Sequence, residues 1–338
     1  MTVNIDYRTS VNDSPLTAAS RGLFRPISAL AREKKTWSLG LLPGVLWRGF
    51  SNIATFYHVL QLIKLHPFSE AARLHPRFAF KYLTHDYLTR SFTVPQRAAC
   101  FIHHYRRLHA DLPDRLLRQC LRADITLHEI ECDGSRFAFS MGLPRIWDKE
   151  GELSLNLHLD GVVVFVLSFT IVPGRIIQSQ AADVLLISRI QGVYGYFNEI
   201  RRVTRALHDV GPAALLLAAL YGFATALGIG EFAAVSATCQ SSYTEELSAL
   251  YIDAYDNFFI GLGLAMNPSG FFLSPIPHHD KPLSSIKQGH KLRTREKRAF
   301  KLEIAQAVCH ALQQQTAAAD AAPLVASLLD RAPNVIES

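Results

Sequence analysis

Leu153, Leu155, Leu157 and Leu159 alternate with Ser154, Asn156, His158 and Asp160. Strict period two predicts a strand with one apolar and one polar face. Asp160-Gly161 follows, a dipeptide that favours tight hairpins. Val162 to Val172 is then almost wholly apolar, as expected of a central strand covered on both faces. Pro173-Gly174 ends it and Val184 to Ile190 supplies another strand. Upstream, Ile125 to Ile130 and Phe137 to Met141 add two more, so the middle of the chain reads as an antiparallel meander of about five strands.

Either side of the meander the period is helical. From Pro95 to Leu108, the residues Ala98, Phe101, Ile102, Tyr105 and Leu108 share one face, with Arg106 and Arg107 opposite. Pro113 opens a second short helix. After the meander a helix is predicted from about Asn198, and Gly211-Pro212 opens another that runs to Leu227 with Gly228 as its cap. A strand Phe232 to Ala237, a short helix near Tyr255 to Gly261 and a strand Gly270 to Leu273 complete the pattern. The expected division is a helical region 1–120, an α/β core 121–275, a basic helix 276–312 and a flexible tail 313–338. Trp37 to Ile63, preceded by the basic run Arg32 to Lys35, suits packing against the core or a membrane surface.

Composition is that of a globular protein, 49% apolar and 19% charged over 338 residues. The stretch Gly211 to Gly230 carries no charge for twenty residues, six of them Ala and four Gly. It lacks flanking cations and leads into a strand, so a buried helix is expected rather than a membrane span. Five scattered cysteines (Cys100, Cys120, Cys132, Cys239, Cys309) show no CxxC spacing and fit a reducing, cytoplasmic compartment. No apolar leader follows the N-terminal residues MTVNIDYRTS. The net charge of +6 concentrates between Lys281 and Lys301, where eight Lys or Arg face one acid, Glu296. That stretch is either a solvated helix face or a surface for phosphates. It has no interleaved aromatics before Phe300, which argues against nucleic acid.

Several phrases in order resemble the VirK/YbjX family of bacterial proteins over about residues 70 to 310. They include His104-Tyr105, Glu150-Gly151-Glu152-Leu153-Ser154-Leu155, Leu167-Ser168-Phe169, Arg189-Ile190-Gln191-Gly192, Leu207-His208, Ala234-Val235-Ser236, Tyr255-Asp256 and Leu262-Gly263. The resemblance implies a link to envelope integrity, virulence and antimicrobial-peptide resistance, with a peptide or lipid precursor as partner and contact with a membrane periphery. Gly211, Ala213, Gln240, Thr244 and Phe259 depart from the residues usual in that family, which weakens any anion site built from its cations.

The order of elements, a meander followed by helix, strand, short helix and strand, also resembles the Gcn5-related N-acyltransferase core, an α+β fold with a mixed sheet. In that fold an Arg/Gln-x-x-Gly-x-Gly/Ala turn holds the pyrophosphate of acyl-CoA on backbone N–H groups. Arg189, Gly192 and Gly195 stand at the corresponding place, the last Gly one residue late. The resemblance implies acyl-CoA or acyl-carrier protein as donor, Glu152 as base for an incoming amine and Tyr255 as acid for the leaving thiolate. Packed or strand-end roles remain the alternatives for both, and a non-catalytic envelope-maintenance factor is the alternative for the protein. His103-His104 and His278-His279-Asp280 lack paired ligand spacing, so no metal is expected.

Overall fold

A computed structural model describes residues 53–144 and 149–329. The basic run Arg32 to Lys35, most of the Trp37 to Ile63 segment and the end of the tail fall outside those residues.

Four helices come first: α1 (Ile53–Lys64), α2 (Phe68–Leu74), α3 (Val94–Asp111) and α4 (Asp114–Arg122). α3 starts where Thr93 and Gln96 form a reciprocal capping box and Pro95 occupies its first turn. It buries Ala98, Phe101, Tyr105 and Leu108, the face its periodicity predicts, and packs on the central strand. Seven strands follow in one sheet, ordered as in the sequence: β1 (Ile125–Cys132), β2 (Ser135–Gly142), β3 (Leu153–Leu159), β4 (Val162–Pro173), β5 (Asp183–Gly192), β6 (Glu231–Val235) and β7 (Phe271–Pro275). Pairs from β1 to β5 are antiparallel, β5 and β6 are parallel, and β6 and β7 are antiparallel. This is the α+β, mixed-sheet class that the pattern predicts.

Both tight turns of the meander place two residues at positive φ. Asp160 and Gly161 adopt 52° and 85°, and Asp133 and Gly134 adopt 50° and 70°. Such angles match the right-handed twist of the flanking strands, which is why Asp-Gly recurs there. Leu153, Leu155, Leu157 and Leu159 are all buried, but so are Ser154 and Asn156 on the other face. β3 is therefore covered on both sides, not one. Its polar face tolerates burial because Ser154 Oγ donates to Asn156, and Asn156 Nδ2 to Asp124 at 3.0 Å.

Helices α5 (Phe197–Ala206) and α6 (Pro212–Ala226) connect β5 to β6. The uncharged run is the buried α6, packed on β3 and β4, with Phe223 set edge-on to Phe169 at 4.9 Å. Its end is a Schellman cap: Gly228 sits at φ 67° and Ile229 N–H donates to the Ala224 carbonyl at 2.9 Å. α7 (Ser248–Tyr251) and α8 (Asn257–Gly261) flank a π-helical turn, Ile252–Asp256. α9 (Lys291–Leu329) packs along α6 and reaches β1, crossing the boundary expected at 313. One contiguous core joins Val59 on α1 to Leu312 on α9.

Candidate functional site

β5 and β6 pair over only three residues, Leu185 to Ile187 against Phe232 to Ala234. Just beyond, the β4–β5 register shifts between Ser168 and Phe169, leaving Ser188 as an extra residue on β5. A bulge bends its strand and strengthens the local twist. β5 then follows β4 as far as Gly192, while β6 stops at Val235 and turns through Ala237–Cys239. The expected strand end at Ala237 is thus a 3-10 turn, and the strands fork one residue after their last pair.

A buried charged cluster lines the fork. Arg189 (4% exposed) lies with its Nε 3.5 Å from Glu150 Oε2. Glu150 Oε1 accepts from Ser241 and Ser242 hydroxyls, each at 3.1 Å. Of the two amide orientations of Gln191, one satisfies both neighbours: its oxygen accepts from Arg189 Nε and Nη2 at 3.0 and 2.8 Å, and its nitrogen donates to Tyr255 Oη at 3.2 Å. Tyr251 stacks on Tyr255 at 5.8 Å. Tyr255 belongs to the π-helical turn, a local widening that recurs at functional sites. Asp256 pins that turn by accepting from Ala237 N–H at 2.7 Å.

Electrostatics follow from burial. Desolvation raises the Glu150 carboxyl above its ordinary range, partly offset by Arg189 and the two serines. Burial lowers Arg189, and Glu150 opposes that. The Tyr255 phenol is pushed up by burial and then by Glu150. A carboxyl made harder to ionise and a phenol that keeps its proton are thus linked through Arg189 and Gln191. On the strands and turns that bound the fork, four buried atoms have no hydrogen-bond partner among the described residues: Ser168 Oγ, Ser188 Oγ, Ser236 Oγ and Gln240 Oε1. Buried polar groups are normally satisfied, so such a concentration asks for a polar ligand. Gly151 carries Glu150 past β4: a Cβ there would stand 2.9 Å from both Phe169 N and Ser168 Cβ, so only glycine fits.

The residues expected from sequence divide into three places. Arg189 and Tyr255 meet in the fork through Gln191. Glu152 does not: it is fully buried, accepting from Tyr87 and Tyr105 hydroxyls and pairing with Lys81 Nζ at 2.5 Å. Burial raises its carboxyl, with Lys81 and the phenols pulling it back. Both its oxygens are spent joining the N-terminal helices to the sheet. Nearby, His104 Nδ1 accepts from Ile171 N–H at 3.0 Å, capping β4 where β3 has not begun. Burial holds that imidazole neutral. Arg189 and Gly192 are strand residues, Ser168 opposite Arg189 and Phe165 opposite Gly192, not parts of a turn. A Cβ on Gly192 would meet the tip of Ile200 at 2.5 Å, whereas Gly195, at φ 92°, lies in the turn itself. His103 pairs with Asp183 at 2.6 Å, and His278 is fixed by Ser274 and the Leu262 carbonyl. Glu150, Gln191 and Ser168 were not singled out from sequence, although all three lie in the phrases quoted for the family.

The sequence pattern of one family, described as "Protein of unknown function (DUF535)", matches residues 45–310. The chain belongs to that family, the one whose phrases it carries. No curated protein matches it. Among solved structures, a cAMP-binding acyltransferase from Mycobacterium smegmatis is similar over 65% of this chain and 60% of its own, at 13% identity and a TM-score of 0.28. A likeness at that level carries no argument about fold or activity. No helix among the described residues is long and apolar enough to cross a membrane.

Proposed function

We propose that the chain is an acyltransferase of the Gcn5-related kind, or a binder of acyl carriers on that scaffold, with its reacting centre in the β5–β6 fork. The observation that carries this reading is the buried Glu150–Arg189 pair where the sheet splits, with four buried polar atoms of Ser168, Ser188, Ser236 and Gln240 left without hydrogen-bond partners on the bounding strands and turns. Ligands of open α/β sheets gather where neighbouring strands part. In this reading the donor is acyl-CoA or acyl-carrier protein and the acceptor an amine of a peptide or lipid precursor. The amine nitrogen attacks the thioester carbonyl, forming C–N as C–S breaks. Glu150, not the sealed Glu152, receives the amine proton, and Tyr255 protonates the departing thiolate. The backbone turn 193–196, with Gly195 at its bend, is the proposed seat of the carrier's phosphates.

A second reading, a non-catalytic factor in envelope maintenance, draws support from one contact. Arg189 is held by Glu150 and Gln191 and so is not presented to that turn. Calorimetric titration with acyl-CoA separates the two. The acyl-transfer reading expects saturable heat, weakened at least ~tenfold by Gly195→Val, which penalises the positive φ and fills the turn. Glu150→Gln and Tyr255→Phe should bind acyl-CoA normally but lose turnover. Absence of heat at millimolar acyl-CoA would leave the non-catalytic reading.

A further inference from the structure

A cleft separate from the fork residues lies in the groove where α6 and α9 meet. The helices touch at Gly222, whose Cβ would stand 2.3 Å from the Ala305 carbonyl oxygen. Along this contact runs a cleft of about 420 Å3, within the size range of small-molecule sites. Its lining mixes apolar side chains, among them Leu217, Ala218 and Leu302, with polar ones such as Tyr221, Gln306 and His310. The apolar side chains suit a hydrocarbon chain, which needs no hydrogen-bond partners.

The rim has the opposite character. Arg298 Nε and Lys301 Nζ approach the same carboxylate, Asp280, at 3.1 and 3.7 Å. Arg298 Nη2 also donates to the Lys281 carbonyl, and two cations share one carboxylate, so the rim keeps a net positive charge that attracts a phosphate. Both belong to the basic stretch Lys281 to Lys301, which the acyl-transfer reading leaves without a role. On the same helix Leu292 and Leu302 are 68% and 58% exposed. Exposed leucines beside Lys and Arg add apolar contact to electrostatic attraction at an anionic membrane surface.

We propose that this groove docks an anionic phospholipid at a bilayer surface, one acyl chain along the α6–α9 floor and the phosphate at Arg298 and Lys301. A cationic end beside apolar Leu217, Ala218 and Leu302 matches an amphiphile with one anionic end, and that charge complementarity selects the occupant. The proposal is independent of the acyl-transfer reading, because its readout involves no acyl-CoA.

The test is co-sedimentation of the full chain with vesicles of phosphatidylcholine alone, or of phosphatidylcholine with an equal amount of phosphatidylglycerol. Binding is expected only to the anionic vesicles. Arg298→Glu with Lys301→Glu should weaken it at least ~tenfold, since each cation near an anionic surface counts for about a fivefold change. Leu302→Asp, on an exposed position that spares the fold, should do the same. Melting curves of each variant identify any that fail to fold. Lys287→Glu, outside the cleft, should have a smaller effect than Lys301→Glu. Equal losses for those two, with Leu302→Asp harmless, would reduce the attraction to diffuse charge and overturn the groove. Uptake of monomeric dodecyl phosphate without vesicle binding would overturn the membrane source, and binding to neither would overturn the proposal outright.

Discussion

Two glutamates two positions apart, Glu150 and Glu152, have opposite fates, and their partners decide which. Glu152 meets Lys81, Tyr87 and Tyr105, all buried, so its charge is neutralised inside the core. Removing one member of a buried pair strands the other, at ~3–5 kcal/mol. Glu152→Ala should therefore lower stability by about that amount in a urea titration. A loss under ~1 kcal/mol would show the clamp to be dispensable. Glu150 titrates in a way that can be followed. Its folded carboxyl is raised above its ordinary value of 4.5. A raised acid adds stability that is fully present below the unfolded pKa and is lost as pH rises through the folded one. Stability should thus fall with rising pH in a window starting near 4.5, and Glu150→Gln should flatten that contribution. An identical pH profile for both proteins would contradict the assignment. The family phrase Glu150 to Leu155 points at both carboxylates. It cannot say which is sealed, because the phenols and ammonium that seal Glu152 come from 47 to 71 positions earlier.

At the scale of elements, the meander was readable because each strand carries its own evidence: alternation in β3, an apolar run in β4 and Asp-Gly at a turn. Helix α6 and its Gly228 cap were equally local. The fork was not. A bulge at Ser188 is a property of two paired strands, and nothing in the run Val184 to Gly192 marks where β6 will leave it. The strand was expected to end at Ile190; it continues through Gln191 and Gly192, still paired with β4, so the turn itself starts only at Val193. Gly151 is the element-scale hinge between the two glutamates. Ala in its place would press on Ser168 and Phe169 of β4. Gly151→Ala should cost ~1–3 kcal/mol by overpacking and should disturb the Glu150–Arg189 pair. The measurement is a thermal melt together with the pH profile of stability. An unchanged melting point would mean that β3 shifts to make room, and the fork would be softer than its contacts imply.

For the whole molecule the question is what the sheet needs in order to stand. The order of predicted elements suggested a core at 121–275 flanked by helical segments, and sequence periodicity cannot tell a flanking layer from a separable one. The packing speaks to that. α3 places Phe101, Tyr105 and Leu108 in the same cluster as β4, and α9 contributes Phe300, Ile304, Val308 and Leu312 over α6 and β1. Each such side chain contributes roughly 1.5–3 kcal/mol when fully buried. Seven together rival a typical folding free energy of ~5–15 kcal/mol. Starting the chain at 121 also removes His104 from the open edge of β4, and Lys81, Tyr87 and Tyr105 from Glu152, leaving a buried N–H and a carboxylate without partners. A fragment of residues 121–275 should therefore fail to fold cooperatively: broad thermal transitions, bound hydrophobic dye and fast amide exchange in β4 and β5 are expected. The full chain should show one cooperative transition with those same amides among the slowest to exchange. A sharp, reversible melt of the fragment would establish the sheet as an autonomous domain, and the helices before and after it as additions to a core that stands without them.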